Sequence, residues 1–250
     1  MEVVAIMNQK GGVGKTTTTL NLGHALALAG RRVLLLDMDP QAHLTAALGV
    51  SPATPGCDRA LLDGADPQTL RHPVRDRLDL VPAGPRLAEV EHVRGGGARR
   101  GMRLREALAA SGDSHDLVLV DCPPSAGLLA MNALFAAGEL LVPVSGDFLA
   151  LQSLSRFMAI VRQVEEAVKR PFRKRLVLTR FQARRRLARE VRDKLLEYFP
   201  GQLLATPIRE AVALAESPGF GTSIFEYRAR SSGAADYLGL ARDWLEGRTC

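Results

Sequence analysis

Six short apolar runs punctuate the chain, with longer segments of helical periodicity between them. The runs are Val3 to Met7, Arg32 to Asp39, Leu78 to Val81, Asp116 to Asp121, Glu139 to Val144 and Arg175 to Thr179. They lack the polar alternation of a half-exposed strand, so they read as parallel strands buried on both faces. Helices are predicted over Leu20 to Leu28, Leu128 to Ala137, Leu149 to Val168, Ala183 to Phe199 and Gly233 to Glu246. Shorter ones are predicted at Asp58 to Leu62, Arg86 to Val93 and Arg99 to Leu108. In the 183–199 segment, Leu187, Val191, Leu195 and Leu196 mark the apolar face. Strands alternating with helices predict an α/β fold, a doubly wound, mostly parallel sheet with helices on both faces, forming a single domain over residues 1–250. The Pro-, Asp- and Gly-rich stretch 51–75 reads as a surface excursion, and Gly95-Gly96-Gly97 as a flexible link.

The first strand runs directly into NQKGGVGKTTTT, residues 8–19, which opens the first helix. Glycine at positions 11, 12 and 14 lets the backbone turn tightly and approach a ligand. Strand, glycine loop and helix N-terminus together make a phosphate cradle. Its candidate nucleotide-binding residues are Gly11, Gly12, Val13, Gly14, Lys15, Thr16 and Thr17. Lys15 would reach the β- and γ-phosphates, and the Thr16 hydroxyl would meet Mg²⁺. Ligands of such sheets gather at the carboxyl ends of strands, which brings Asp37 and Asp39 beside the loop. Asp121 closes the strand DLVLVD in the manner of a Walker B carboxylate and would bind Mg²⁺ through water. The plainer alternatives are a glycine turn without chemistry and an Asp39 that merely caps the helix near Leu44. Cys122 reads as a packed small hydrophobe rather than a nucleophile.

Composition narrows the class further. An apolar fraction of 46% and a charged fraction of 24% are those of an ordinary globular protein. No apolar run approaches a membrane span. The first strand starts at once, leaving no room for a signal peptide. Three cysteines, Cys57, Cys122 and Cys250, form no C-x-x-C pair. A cytoplasmic protein without structural zinc or an iron–sulfur cluster is the expectation. The net charge of +6 is unevenly spread: twelve Lys/Arg stand between Lys169 and Lys194 against only Glu190 and Asp193. Arg185, Arg186, Arg189 and Arg192 lie opposite the apolar face of their helix, with few acidic partners four residues away. Such a face suits duplex DNA, bound through phosphates without reading bases. A merely solvated surface is the alternative, and sparse aromatics argue against stacking on single strands.

The loop departs from G-x-x-x-x-G-K-[ST] at its first position, Gln9, and carries an additional lysine, Lys10. KGGVGKTT, followed in order by DMDPQ, DCPPS and LAESPGFG, resembles the deviant Walker A superfamily of ParA, MinD and the nitrogenase iron protein, from Val3 to about Glu246. Within it the chain looks most like a ParA/Soj-type chromosome or plasmid partitioning ATPase. That resemblance implies a catalytic set of Lys10, Lys15 and Asp39, with Lys10 crossing a dimer interface and Asp39 positioning the attacking water. It implies Asp37 in the Mg²⁺ shell with Thr16 and Asp121, and Pro207 and Ile208 near the adenine. Hydrolysis of ATP to ADP and phosphate, an ATP-dependent homodimer, nonspecific double-stranded DNA, a ParB-type centromere-binding partner and a nucleoid-associated location are further expectations. Of the arginines that the family uses for DNA before the LAE string only Arg209 remains, which the resemblance makes a further DNA-contact candidate beside Arg185, Arg186, Arg189 and Arg192; His43 replaces a frequent asparagine, and Asn132 matches the family. A MinD-like membrane-cycling ATPase is the rival, but ARDWLEGRTC lacks the basic–apolar pattern of a membrane anchor, so no membrane partner is expected.

Overall fold

A computed structural model describes residues 1–112 and 114–250. In chain order its elements are β1 (Glu2–Ile6), α1 (Lys15–Leu28), β2 (Val33–Asp37), α2 (His43–Ala47), α3 (Cys57–Leu62), β3 (His72–Arg75), β4 (Leu78–Val81), α4 (Arg103–Ala110) and β5 (Leu117–Asp121). There follow α5 (Leu128–Ala136), β6 (Glu139–Ser145), α6 (Phe148–Val168), β7 (Arg173–Thr179), α7 (Arg186–Tyr198), α8 (Val212–Glu216), α9 (Ile224–Arg228) and α10 (Ser232–Glu246).

The six apolar runs, with the edge strand β3, form one seven-stranded sheet in the order β3-β4-β2-β5-β1-β6-β7. Every pairing is parallel except β3 with β4. Successive side chains of a strand face opposite sides, and the core divides accordingly. Leu34, Leu36, Val118 and Val120 pack with α4, α5 and α6 residues such as Leu104, Leu129 and Leu154. Val33, Leu35, Leu117 and Leu119 pack with Leu22 and Leu26 of α1 and Leu240 and Trp244 of α10. The predicted doubly wound sheet with helices on both faces is therefore what forms. Helix α1 lies close to the sheet at Gly23, where a Cβ would stand 2.7 Å from a Leu35 methyl.

The structure departs from the sequence reading in four places. The supposed excursion 51–75 contains, besides the short helix expected at α3, the antiparallel edge strand β3. The 86–93 segment forms a 3-10 helix, Leu87–His92. Leu87 and Val90, three residues apart, both point inward, which is the spacing that geometry favours. The 99–108 segment splits into a 3-10 turn, Gly97–Met102, and α4. Helix α7 begins at Arg186 rather than Ala183, because Arg185 is extended. That start turns Ala188, Val191 and Leu195 inward and leaves Leu187 41% exposed, displacing Leu187 from the predicted apolar face.

Leu35 is fully buried between α1 and the sheet. Leu35→Ala is expected to destabilise the protein by about 3 kcal/mol in urea unfolding.

Candidate active site

The loop between β1 and α1 lies at the carboxyl edge of the central strand, with β5 and β6 on either side. Gly12 and Gly14 take φ values of 73° and 86°, a region costly for any residue with a Cβ. Gly14 offers α1 no side-chain cap, so the amides of the first turn have no internal acceptor. Side chains from neighbouring strands and helices fix the loop. Asn8 Nδ2 donates to Pro143 O at 2.8 Å, and Asn8 Oδ1 accepts from Lys10 N at 3.0 Å. Thr179 Oγ1, at the end of β7, donates to Val13 O at 2.8 Å. The cradle is thus tied to β6 and β7 before any ligand enters.

Lys15 is buried at the start of α1, and Nζ donates to Lys10 O at 3.3 Å. Burial lowers its pKa, while Asp121, Cys122 and Asp39 oppose the shift. Parallel register sets Asp37 at the end of β2 beside Asp121 at the end of β5. Asp37 Oδ2 accepts from Thr45 Oγ1 at 2.6 Å and Thr45 N at 2.8 Å, and Oδ1 accepts from Asp39 N at 3.2 Å. Asp121 Oδ1 accepts from Thr19 Oγ1 at 3.2 Å, and Thr16 also hydrogen-bonds this carboxylate. Its Oδ2 is buried without a hydrogen bond. Burial first, and the neighbouring carboxylate next, raise the pKa of Asp121; burial raises that of Asp37. An uncompensated oxygen beside a second carboxylate fits a site that accepts a cation. Among the described residues no three His, Cys, Asp or Glu groups cluster as a metal cage. A magnesium ion there would rest on the Thr16 hydroxyl, waters and phosphate oxygens, with the aspartates behind, which suits its preference for keeping water.

Asp39 is part-exposed just beyond β2, and its Oδ1 accepts from Gln41 N at 2.9 Å. The residue preceding α2 is Ala42, without a side-chain cap, so Asp39 does not cap that helix. Lys10 is the surprise of the loop, because its Nζ pairs with Asp147 of the same chain. Asp147 itself caps α6, accepting from Ala150 N at 3.2 Å, and takes a second bond from Ser145 Oγ at 2.7 Å. An Asp followed by an apolar helical run is a legible N-cap signal, but its pairing with Lys10 spans 137 residues and has none.

A cleft of about 340 Å³ opens beside the loop, lined by Gly12, Gly14, Thr17, Thr179, Ile208 and Tyr237 among others. Ile208 lines this cleft, and Pro207 is not among its lining residues. Ile208 is pinned to β7, donating to Leu178 O and accepting from Phe181 N. Tyr237 from α10 is buried, with its hydroxyl 3.2 Å from Thr18 Oγ1. Nothing in the local sequence around Thr179 or Tyr237 signals these positions. Cys122 and Cys57 are buried with thiol pKa values pushed well up, so neither is a nucleophile.

The arginine face is only partly free. Arg186 pairs with Glu190 at 2.7 Å, and Arg189 Nη1 donates to Ala183 O at 2.9 Å. Arg185 and Arg192 have no ion pair among the described residues. Arg209 stands apart in kind: Nε and Nη2 grip the Asp236 carboxylate at 2.6–3.0 Å, leaving that guanidinium engaged within the fold.

A glycine cradle after the central strand, a buried lysine opening the helix and aspartates ending two adjacent strands define a P-loop nucleotide hydrolase of the two-lysine, deviant Walker A type. A family model described as an AAA domain matches residues 1–174. The chain is 39% identical to the chromosome partitioning protein ParA of Myxococcus xanthus, covering 99% of this chain and 89% of that one. It is likewise 39% identical to the sporulation initiation inhibitor protein Soj of Bacillus subtilis, covering 97% of each. Among solved structures, cobyrinic acid a,c-diamide synthase of Mycobacterium smegmatis, with bound ADP and magnesium, aligns over all of this chain and 97% of its own, at a TM-score of 0.82 and 32% identity. The chain belongs to the ParA/Soj family of partitioning ATPases.

Two like charges held side by side out of water are unfavourable until a cation joins them. At alkaline pH, above the raised pKa of Asp121, both carboxylates are charged, and there Asp121→Asn should therefore raise the melting temperature of the nucleotide-free, magnesium-free protein by about 3 °C, read by calorimetry. An unchanged or lowered value would mean that the pair is already compensated.

Proposed function

We propose that this protein is a Mg²⁺-dependent ATPase that acts as a DNA-partitioning switch. The single observation that carries the reading is Lys15, buried in the glycine cradle within the field of Asp121 and Asp39. ATP would place its phosphates on the loop amides of residues 11–17, with Lys15 supplying the countercharge and the base entering the cleft beside Ile208. A magnesium ion there would neutralise the β- and γ-phosphate oxygens and orient them. Thr16, Asp37 and Asp121 would hold it, and Asp39 would orient the attacking water.

The second lysine gives the switch its form. The Lys10–Asp147 pair is partly solvent-exposed, at 25% and 46% for the two side chains, so its contribution is small, about 0–1 kcal/mol. Lys10 can therefore leave Asp147 at little cost when a more charged partner arrives. The triphosphate bound to a second copy is such a partner, and the exchange makes dimerisation depend on the γ-phosphate. The ATP-held dimer would bind duplex DNA through Arg185, Arg186, Arg189 and Arg192, nonspecifically. A ParB-type centromere-binding protein would stimulate hydrolysis and so release it. A location in the cytoplasm, on the nucleoid, follows from that cycle. No helix of the described residues is long and apolar enough to cross a membrane. The apolar face of α10, including Leu240 and Trp244, is buried in the core, which disfavours its use as a membrane-cycling anchor.

Sedimentation with random-sequence duplex DNA and, separately, with anionic liposomes, in ATP and in ADP, tests the reading. ATP-dependent capture by DNA alone is expected; capture by liposomes alone would replace partitioning with membrane cycling. Lys10→Ala should still bind ATP yet fail to dimerise with it in light scattering, and a dimer at wild-type ATP concentrations would overturn the crossing role. Replacing Arg185, Arg186 and Arg189 together with alanine should weaken DNA binding and reduce the slope of log K against log salt by about 2. An unchanged slope would move the DNA surface elsewhere.

A further inference from the structure

Helix α5 follows the loop that leaves Asp121, and it has no cap of its own. The residue before it, Gly127, has no side chain to offer. The first amides are instead satisfied from a distant segment. Glu91, in the 3-10 helix Leu87–His92, accepts from Leu128 N at 2.6 Å through Oε2 and from Leu129 N at 3.3 Å through Oε1. A carboxylate at this point also meets the positive end of the helix dipole. The contact is close enough to specify its neighbour: a Cβ at position 127 would lie 2.3 Å from a Glu91 oxygen. Among the described residues, the side-chain hydrogen bonds of Glu91 go only to α5.

A second contact joins the same two regions. Asn132, fully buried in α5, donates from Nδ2 to Arg100 O at 2.9 Å and accepts at Oδ1 from Leu104 N at 3.2 Å. The segment 87–104 therefore grips α5 at its start and again one turn later. Between Asp121 and α5 the chain is held far less. Residues 123–126 make no main-chain hydrogen bond among those described, and Pro124, Ser125 and Ala126 are exposed. The upstream end of this loop is fixed by the sheet at Asp121, and the downstream end by Glu91.

We propose that Glu91 is a positioning residue for the hydrolytic step: by clamping the N-terminus of α5 it fixes the loop 122–127 in the register that hydrolysis requires. The proposal rests on the reading of Asp121 as part of an ATP-hydrolysing site. Glu91 touches neither the glycine loop nor the cleft, so its effect should fall on turnover and spare nucleotide affinity. A loop with one loose end visits the reactive arrangement less often, while the cradle that binds the phosphates is unchanged.

The test compares Glu91→Ala and Glu91→Gln in the full chain, by steady-state ATP hydrolysis and by amide hydrogen exchange without nucleotide. Losing these two charge-assisted hydrogen bonds should lower kcat about tenfold in the alanine variant, with KM for ATP within about twofold of wild type. Glutamine keeps an acceptor for Leu128 N and should recover part of the loss. Exchange should quicken over residues 125–131 in the alanine variant and stay unchanged in β1, α1 and β5. An unaltered kcat overturns the proposal, as does a parallel fall in kcat and affinity with faster exchange throughout the sheet. If the wild-type protein hydrolyses no ATP, the ATPase reading fails by itself. The exchange experiment then still decides the clamp, and unaltered protection over 125–131 would sink it.

Discussion

Charge buried at the carboxyl ends of adjacent parallel strands is the constraint on which the rest of this structure depends. Asp37 and Asp121 end neighbouring strands in exact register, so neither can turn away from the other. Both are removed from water, and Asp121 keeps one oxygen without a hydrogen-bond donor. Burying such groups is unfavourable unless the surroundings answer them. Thr45, Thr19 and Thr16 supply hydroxyls, and Lys15 supplies an opposing charge that is itself desolvated. The arrangement holds together because Asn8 and Thr179 bolt the glycine loop to β6 and β7, leaving it no freedom to collapse onto the carboxylates.

Two ion pairs near this centre differ in a way that matters for a switch. Asp236 is 8% exposed and receives Arg209 through two nitrogens and a backbone amide, which makes the contact part of the scaffold. Lys10 meets Asp147 through one flexible ammonium in a half-solvated setting. A single mobile point charge can be handed to another anion; a forked guanidinium locked between two elements cannot.

Much of this was legible in the residues. The strands announced themselves because both faces of the sheet are covered, so their runs are largely apolar, and the loop because glycine takes the φ values at 12 and 14 most readily. What escaped notice depends on tertiary contact. Strand β3 contains Pro73 and is four residues long, and it reaches β4 through a turn where Arg77, with φ 56°, stands where glycine would have been the signal. The face of α7 turned on where the helix begins, which Arg185 decides by its extended backbone. Nothing local marks the partners of Arg209 and Glu91, which lie 27 and 37 residues further along the chain.

The position of β1 has a further consequence, for how the chain comes to be folded at all. It precedes the other six strands of the sheet in the chain, yet it sits in the interior between β5 and β6. Its first partner residues, Leu117 to Asp121, emerge from the ribosome more than a hundred residues later, and β6 follows only at Glu139. Until then the loop that cradles phosphate has neither flank, and β1 is a bare apolar segment waiting for its neighbours. Closing so long a loop costs chain entropy before the pairing repays it, so the flanks of the nucleotide cradle depend on slow, long-range contacts. A nascent chain paused before residue 117 would expose β1 as an unpaired apolar strand rather than a partly working enzyme.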